Sequence, residues 1–192
     1  VMMARNLYNG TSGTELKGKK LGIHAFGQVG RNVARIAKGF GMEVFAFDPY
    51  CPASVMEAEG VKPITDINEL YSTCQYVSLH IPATNETKKS INYALLKQMP
   101  KGAMLINTAR KEVINEEELV QIMDERPDFR YVSDITPDNA SVFAEKFTGR
   151  YFFTPKKMGA QTAEANINAG IAAAKQSVGF LKEGIDKFKV NK

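Results

Sequence analysis

The sequence predicts an α/β fold, a doubly wound parallel sheet with helices on both faces. Three observations point to it. Short apolar strands alternate with helical segments along the chain, and repeated strand–helix–strand units imply parallel pairing. A glycine turn joins the first strand directly to the first helix. An acid, Asp48, closes the second strand. Such sheets bind ligands outside the carboxyl ends of their strands, where the winding direction reverses. The chemically distinctive residues of this chain fall at those ends.

Taken in order, Lys20-Leu21-Gly22-Ile23-His24-Ala25 reads as a strand that runs into a glycine turn. Val29, Val33, Ile36, Ala37 and Phe40 then recur at helical spacing. Gly39 and Gly41 end that helix, and Glu43–Phe47 is the next strand. Further strands are predicted at Tyr76–Leu79, Ala103–Ile106, Tyr131–Ser133 and Tyr151–Phe153. Asn115 followed by Glu116, Glu117 and Glu118 is an N-cap with acid in the first turn. Ile167, Ile171, Ala174, Val178 and Leu181 mark one face of a last helix over about residues 162–182. There is no internal repeat and no low-complexity linker.

Composition excludes several classes. A chain of 192 residues suits one domain, and 44% hydrophobic with 24% charged residues is ordinary for a globular fold. No apolar run approaches the ~20 residues that cross a bilayer, and residues 1–5 lack a signal-peptide layout, so no membrane partner is expected. The net charge of +4 is spread in small groups such as Lys17-Gly18-Lys19-Lys20, without the basic stripe of a nucleic-acid binder. Cys51 and Cys74 have neither metal-ligand spacing nor a disulfide framework. They read as ordinary thiols in a reducing cytoplasm, and no metal is expected.

Residues 25–30 read Ala-Phe-Gly-Gln-Val-Gly. A dinucleotide site wants glycine here for a tight turn, for close approach of backbone to pyrophosphate, and for close packing of helix on strand. Gly27 and Gly30 meet the second and third needs. Ala25 stands at the first, where it is expected to make the turn with a negative φ. Gln28 and Val29 open the helix, whose N-terminus points N–H groups and positive dipole at phosphate. Asp48 lies 18 residues after Gly30. It can accept from both hydroxyls of an adenine ribose and would repel a 2′-phosphate, so NAD is favoured over NADP.

Three further stretches carry a family resemblance. Residues 79–87 read Leu-His-Ile-Pro-Ala-Thr-Asn-Glu-Thr, residues 102–110 Gly-Ala-Met-Leu-Ile-Asn-Thr-Ala-Arg, and residues 154–164 Thr-Pro-Lys-Lys-Met-Gly-Ala-Gln-Thr-Ala-Glu. In order and spacing they resemble the motifs of the D-2-hydroxyacid dehydrogenases over nearly the whole chain. The resemblance implies a single Rossmann-like NAD-binding domain over 1–192. Residues 1–8 would be the end of an interdomain helix and residues 162–183 a long C-terminal helix. It implies roles as well. The backbone at Gln28 and Val29 would meet the pyrophosphate, and Pro82 and Thr87 would line the cofactor groove. Thr108 and Ala109 would sit beside the nicotinamide ribose, with Gly159 and Ala160 also at the cofactor. Asp134 would fix the carboxamide, and Arg110 would bind the substrate carboxylate, a role that its planar fork of donors suits independently. His80 matches a structural histidine at a strand end beside the cofactor. His24 reads as a packed, hydrogen-bonded side chain.

The chain departs from the family at the acid/base, where most members use a histidine held by a glutamate. Counting forward from Thr154-Pro155 selects Lys156, whereas counting back from Met158-Gly159-Ala160 selects Lys157, the match without a gap. The glutamate position falls at Asn139, with Asp138 one step earlier. The two changes are coherent. Histidine starts near pKa ~6.5, and a carboxylate favours its charged form; lysine starts near ~10.4 and must be lowered to exchange protons near neutrality. A carboxylate would raise it further, whereas desolvation and Arg110 would lower it.

The resemblance thus implies oxidation of an anionic 2-hydroxy acid, D-3-phosphoglycerate to 3-phosphohydroxypyruvate at the entry to serine synthesis, by a cytoplasmic homodimer. Glyoxylate or hydroxypyruvate reduction is the same-class alternative, and a non-catalytic NAD-sensing interaction protein the other. An N-terminal substrate lobe and a C-terminal regulatory domain are expected to be absent from this chain, which would then bind NAD but turn over poorly.

Overall fold

The computed structural model describes residues 13–155 and 162–187. They divide into two compact units, Val1–Lys157 and Met158–Lys192. The first is built on seven strands, β1 (Lys20–His24), β2 (Glu43–Phe47), β3 (Lys62–Pro63), β4 (Tyr76–Leu79), β5 (Met104–Asn107), β6 (Arg130–Ser133) and β7 (Tyr151–Phe153). Their order is β3-β2-β1-β4-β5-β6-β7, and every pairing is parallel. Winding therefore reverses between β1 and β4. The connecting helices are α1 (Gln28–Gly39), α2 (Ala53–Ala58), α3 (Ile67–Thr73), α4 (Tyr93–Lys97), α5 (Glu116–Glu125) and α6 (Ala140–Lys146). The second unit contains α7 (Ala163–Glu183).

Alternate side chains of each strand enter two cores, as a sheet covered on both faces requires. Leu21, Ile23, Val44, Tyr76 and Val132 join Ala34 and Ala37 of α1 and Met56 of α2 in one core. Val77, Leu79, Leu105 and Tyr131 join Leu70, Leu96, Ile122 and Phe143 of α3 to α6 in the other. The helix starts follow from side-chain caps: Asp66, Asn92, Asn115 and Thr162 each accept from a backbone N–H in the first turn. Gly41, at φ 71°, turns the chain after α1, a conformation that a Cβ disfavours.

Several expectations need correction. β1 stops at His24 and Ala25 lies in the turn; β5 runs one residue later than predicted, over Met104–Asn107. The helix α1 forms where expected but buries only part of the predicted face, with Ala37 inside and Val33 packed partly buried against the core. Gly30, Ala34 and Ala37 are inside, while Val29 and Ile36 are 62% and 53% exposed and Phe40 is exposed as well. Small residues at i, i+4 and i+7 let the helix lie close on the strands, and bulkier side chains at those positions would hold it off. The helix α7 has the predicted extent, but none of its described residues is buried, its predicted apolar face included.

Candidate functional site

The carboxyl ends of β1, β2 and β4 enclose a cleft of about 570 Å³, lined in part by Ala25, Gly27, Asp48, His80, Pro82 and Thr87. Its floor is the glycine turn. The Ala25 N–H donates to the Phe47 carbonyl at 2.9 Å and closes the β1–β2 ladder. Ala25 then takes φ +81°, contrary to the negative value expected of an alanine. The left-handed turn is set by the site and not by the side chain that occupies it. Gly27 caps α1, and a Cβ there would meet nothing within 4 Å. A Cβ on Gly30 would stand 2.5 Å from the Ala25 carbonyl oxygen. One glycine thus leaves room for a ligand, and the other lets the helix approach the turn. The N–H groups of the first turn, beginning at Gln28 and Val29, have no intrahelical acceptor and face this end of the sheet.

Asp48 closes β2 and is half-buried. Its Oδ2 accepts from the Phe26 N–H at 2.8 Å and its Oδ1 from the Tyr50 N–H at 2.9 Å. Across the cleft, the Thr87 hydroxyl donates to the Pro82 carbonyl at 2.5 Å and accepts from the Thr84 N–H at 2.8 Å, tying the loop after β4 into a compact turn. Beneath it, His80 Nε2 lies 3.0 Å from the Ser78 hydroxyl, and Nδ1 is buried without a partner among the described residues. His24 Nδ1 lies 3.3 Å from the Tyr71 hydroxyl, and the ring meets Phe47 and Tyr71 edge-on. Burial pulls both histidines down to about 4, so both are neutral near pH 7. His24 is the packed, bonded side chain expected of it.

These features fit a dinucleotide, with an open approach over Gly27, donors at a helix start and a carboxylate at the end of β2. A family model described as "D-isomer specific 2-hydroxyacid dehydrogenase, NAD binding domain" matches residues 2–151. The chain belongs to that family. It is 38% identical over 185 residues to D-3-phosphoglycerate dehydrogenase 2, chloroplastic, of Arabidopsis thaliana, covering 93% of this chain and 29% of that protein. Among solved structures, the NAD⁺-bound 3-phosphoglycerate dehydrogenase of Entamoeba histolytica superposes with TM-score 0.87 at 46% identity, over 97% of this chain and 59% of that one. The apo D-lactate dehydrogenase of Escherichia coli gives 0.74 at 29% identity, over 92% and 55%. The chain therefore spans about three-tenths of the curated relative and under two thirds of the solved ones.

In this dehydrogenase domain the other half of the strand ends carries different chemistry. Asn107, fully buried at the end of β5, accepts from the Ala109 N–H at 3.0 Å and donates to the Arg110 carbonyl at 3.0 Å. It thereby shapes Thr108-Ala109-Arg110. Sequence reasoning assigned Asn107 no role; the signal was there, since an asparagine commonly bonds backbone two residues on. Thr108 and Arg110 are exposed and Ala109 is buried. Arg110 Nη1 donates to its neighbour's carbonyl, Ala109 O, at 2.8 Å. Asp134 follows β6; its N–H donates to the Asn107 carbonyl at 3.2 Å, while its Oδ1 is buried without a partner among the described residues.

Beyond it, Glu116 accepts from the backbone N–H groups of Asp138 and Asn139 at 3.2 and 3.1 Å, and its carbonyl accepts from Asn139 Nδ2 at 3.1 Å. That leaves Asn139 Oδ1 buried and unpaired among the described residues. Asp138 is engaged elsewhere, in an exposed ion pair with Lys111 at 2.6 Å. Lys156, Lys157, Gly159 and Ala160 lie outside the described residues, as do residues 1–8.

Proposed function

We propose that the protein to which this chain belongs oxidises D-3-phosphoglycerate to 3-phosphohydroxypyruvate with NAD, and that this chain supplies the cofactor site. The observation that carries the reading is the 46% identity, over 97% of the chain, to an NAD⁺-bound 3-phosphoglycerate dehydrogenase. Bound NAD supplies the acceptor for the hydride that leaves C2 of the hydroxy acid. The remaining work falls to this chain's own residues. Arg110 grips the substrate carboxylate with two parallel donors. The amine of Lys157, or of Lys156, takes the C2 hydroxyl proton as the carbonyl forms, and so must be neutral at the start. Asn139, fixed by Glu116, offers that lysine an uncharged acceptor where a carboxylate would hold it protonated. Asp134 and its buried oxygen await the donor end of a carboxamide.

A homodimer working in the cytoplasm completes the reading, to be checked by sedimentation against the chain mass of 21.2 kDa. Retention of Arg110 and of lysine at the acid/base position favours an enzyme over an NAD sensor. The test is twofold. This chain should bind NADH saturably and NADPH far more weakly. In the two-lobed protein, Lys157→Ala should abolish 3-phosphoglycerate oxidation while Lys156→Ala retains it; the reverse would exchange the two lysines. Preference for hydroxypyruvate without phosphate would move the protein toward a reductase, as in the 32% identical hydroxypyruvate reductase of Thermotoga maritima. Full turnover with both lysines removed would end the acid/base assignment.

A further inference from the structure

We infer that Asp48 is also the positioning residue of the phosphate loop, so that the carboxylate at the ribose position and the glycine turn form one hydrogen-bonded unit. The inference rests on the dinucleotide reading proposed above. The β1–β2 ladder ends with the Ala25 N–H on the Phe47 carbonyl, so the next amide, Phe26, has no strand left to bond. Asp48 Oδ2 takes it at 2.8 Å. The turn it steadies is one that needs restraint, because Ala25 stands at φ +81°, where an L side chain costs ~1 kcal/mol or more. The rest of Phe26 is held as well. Its ring is 1% exposed, and its carbonyl accepts from Arg31 Nε at 3.3 Å. The Arg31 guanidinium lies 5.7 Å from the ring centroid and pairs with Glu59 at 3.4 Å.

The two roles of Asp48 are compatible. A carboxylate offers about four lone-pair sites. Phe26 and Tyr50 take one on each oxygen, which leaves each oxygen a site for a ribose hydroxyl. One consequence is that removing the acid to admit a 2′-phosphate should loosen the pyrophosphate cradle at the same time.

The experiment uses a nucleotide without the ribose diol. Wild-type chain, Asp48→Ala and Asp48→Asn are titrated with ADP and with 2′,3′-dideoxy-ADP, and amide exchange is followed at Phe26 and, as reference, at Ile23 and Ala46. If Asp48 only reads hydroxyls, its loss removes a negative charge beside an anion, and dideoxy-ADP binds as well as before or better. If it holds the loop, Asp48→Ala weakens dideoxy-ADP about tenfold, the scale of one charge-assisted hydrogen bond. Phe26 exchange should then accelerate by a similar factor while Ile23 and Ala46 stay protected. Asp48→Asn, which keeps one acceptor, should fall between, and it carries the test if the alanine variant fails to fold. Unchanged dideoxy-ADP affinity with unchanged Phe26 protection overturns the inference. Wild-type chain that binds neither nucleotide would instead overturn the dinucleotide reading, and the exchange data would still decide the hydrogen bond.

Discussion

Asp48 and Asp134 each follow a strand of the same sheet, yet the protein treats them differently. Around Asp48 the loop is tied together: both carboxylate oxygens accept backbone N–H groups and Phe26 is held on both sides, although His80 Nδ1 in the same cleft is buried without a partner among the described residues. Around Asp134 the side chains are tied less fully. Asp134 Oδ1 and Asn139 Oδ1 are buried without partners among the described residues, although the backbone beside them is well tied by Asn107 and Glu116. A buried unpaired acceptor costs about 1–3 kcal/mol, so among the described residues the second region holds unused bonding capacity. The contrast suggests a division of labour. On the proposed reading, in which Asp48 meets the adenosine and Asp134 the nicotinamide, the first end would be preorganised and the second completed when ligand arrives.

The sharpest way to break this comparison is at the glycine turn. Gly30→Ala forces a Cβ to 2.5 Å from a backbone oxygen. Overpacking of that kind costs about 1–3 kcal/mol, and with the cradle displaced, NADH affinity should drop about a hundredfold. Gly27→Ala meets nothing, so stability should change by less than ~1 kcal/mol while NADH is lost to a similar degree. Denaturant unfolding beside NADH titration separates the two. A Gly27→Ala chain that binds like wild type would mean that the ligand does not pass over Gly27.

Acid should act next most strongly, beneath the preorganised end. His24 and His80 have folded values pulled down to about 4 from an ordinary 6.5. The unfolded chain therefore binds more protons between those values. The stability they contribute is complete above pH 6.5 and is lost as pH falls through 4. The loss is on the order of 3 kcal/mol for a histidine buried as fully as His24. The Arg126 guanidinium beside Asp128 holds that carboxyl below its ordinary range, so such carboxylates do not shape this window. Urea midpoints at pH 7, 6 and 5 should fall in step, and His24→Phe should flatten the slope. A midpoint independent of pH across that range would show that the histidines keep partners able to hold their protons.

A smaller effect sharpens the contrast itself. Asp134→Asn keeps the side-chain volume and removes a charge that has an unpaired buried oxygen. Without ligand it should leave stability within about 1 kcal/mol of wild type or raise it, since it keeps the side chain's shape and takes away a carboxylate whose Oδ1 is buried without a partner among the described residues. NADH affinity should fall about tenfold. If Asp134→Asn instead destabilised the empty chain by several kcal/mol, the oxygen would have a partner and the division of labour would fail.

What the sequence made legible follows from how local each signal is. Strand–helix alternation, the N-cap at Asn115, and Asp48 at the end of β2 depend on near neighbours, and each stands where predicted. The strand β3 does not announce itself, because Lys62–Pro63 is two residues long and proline sits comfortably only at a sheet edge. The face of α1 misleads for a different reason. Its bulky apolar periodicity marks a flank, and close approach to β1 selects, beside the predicted Ala37, Gly30 and Ala34, residues with too little side chain to register as a hydrophobic stripe. Asn107 acts through three partners, one of which, the Tyr131 hydroxyl, belongs to the neighbouring strand. No spacing rule reveals that contact.

The mildest substitution probes the preorganised end from the opposite direction. Ala25 occupies the position where a dinucleotide turn prefers glycine, and it does so at φ +81°. Replacing it with glycine relieves roughly 1 kcal/mol or more of left-handed strain, while the extra freedom of the unfolded chain returns about 0.4–1 kcal/mol. The net change should be a gain of a few tenths to ~1 kcal/mol, read as a small rise in the denaturant midpoint. NADH affinity should hold or improve slightly, because the bonds from Phe26 to Asp48 and Arg31 that shape the loop are untouched. An Ala25→Gly chain that was more stable but bound NADH several-fold more weakly would show that the methyl group itself stiffens the cradle. Preorganisation at this end would then rest on the alanine as much as on the hydrogen bonds around it.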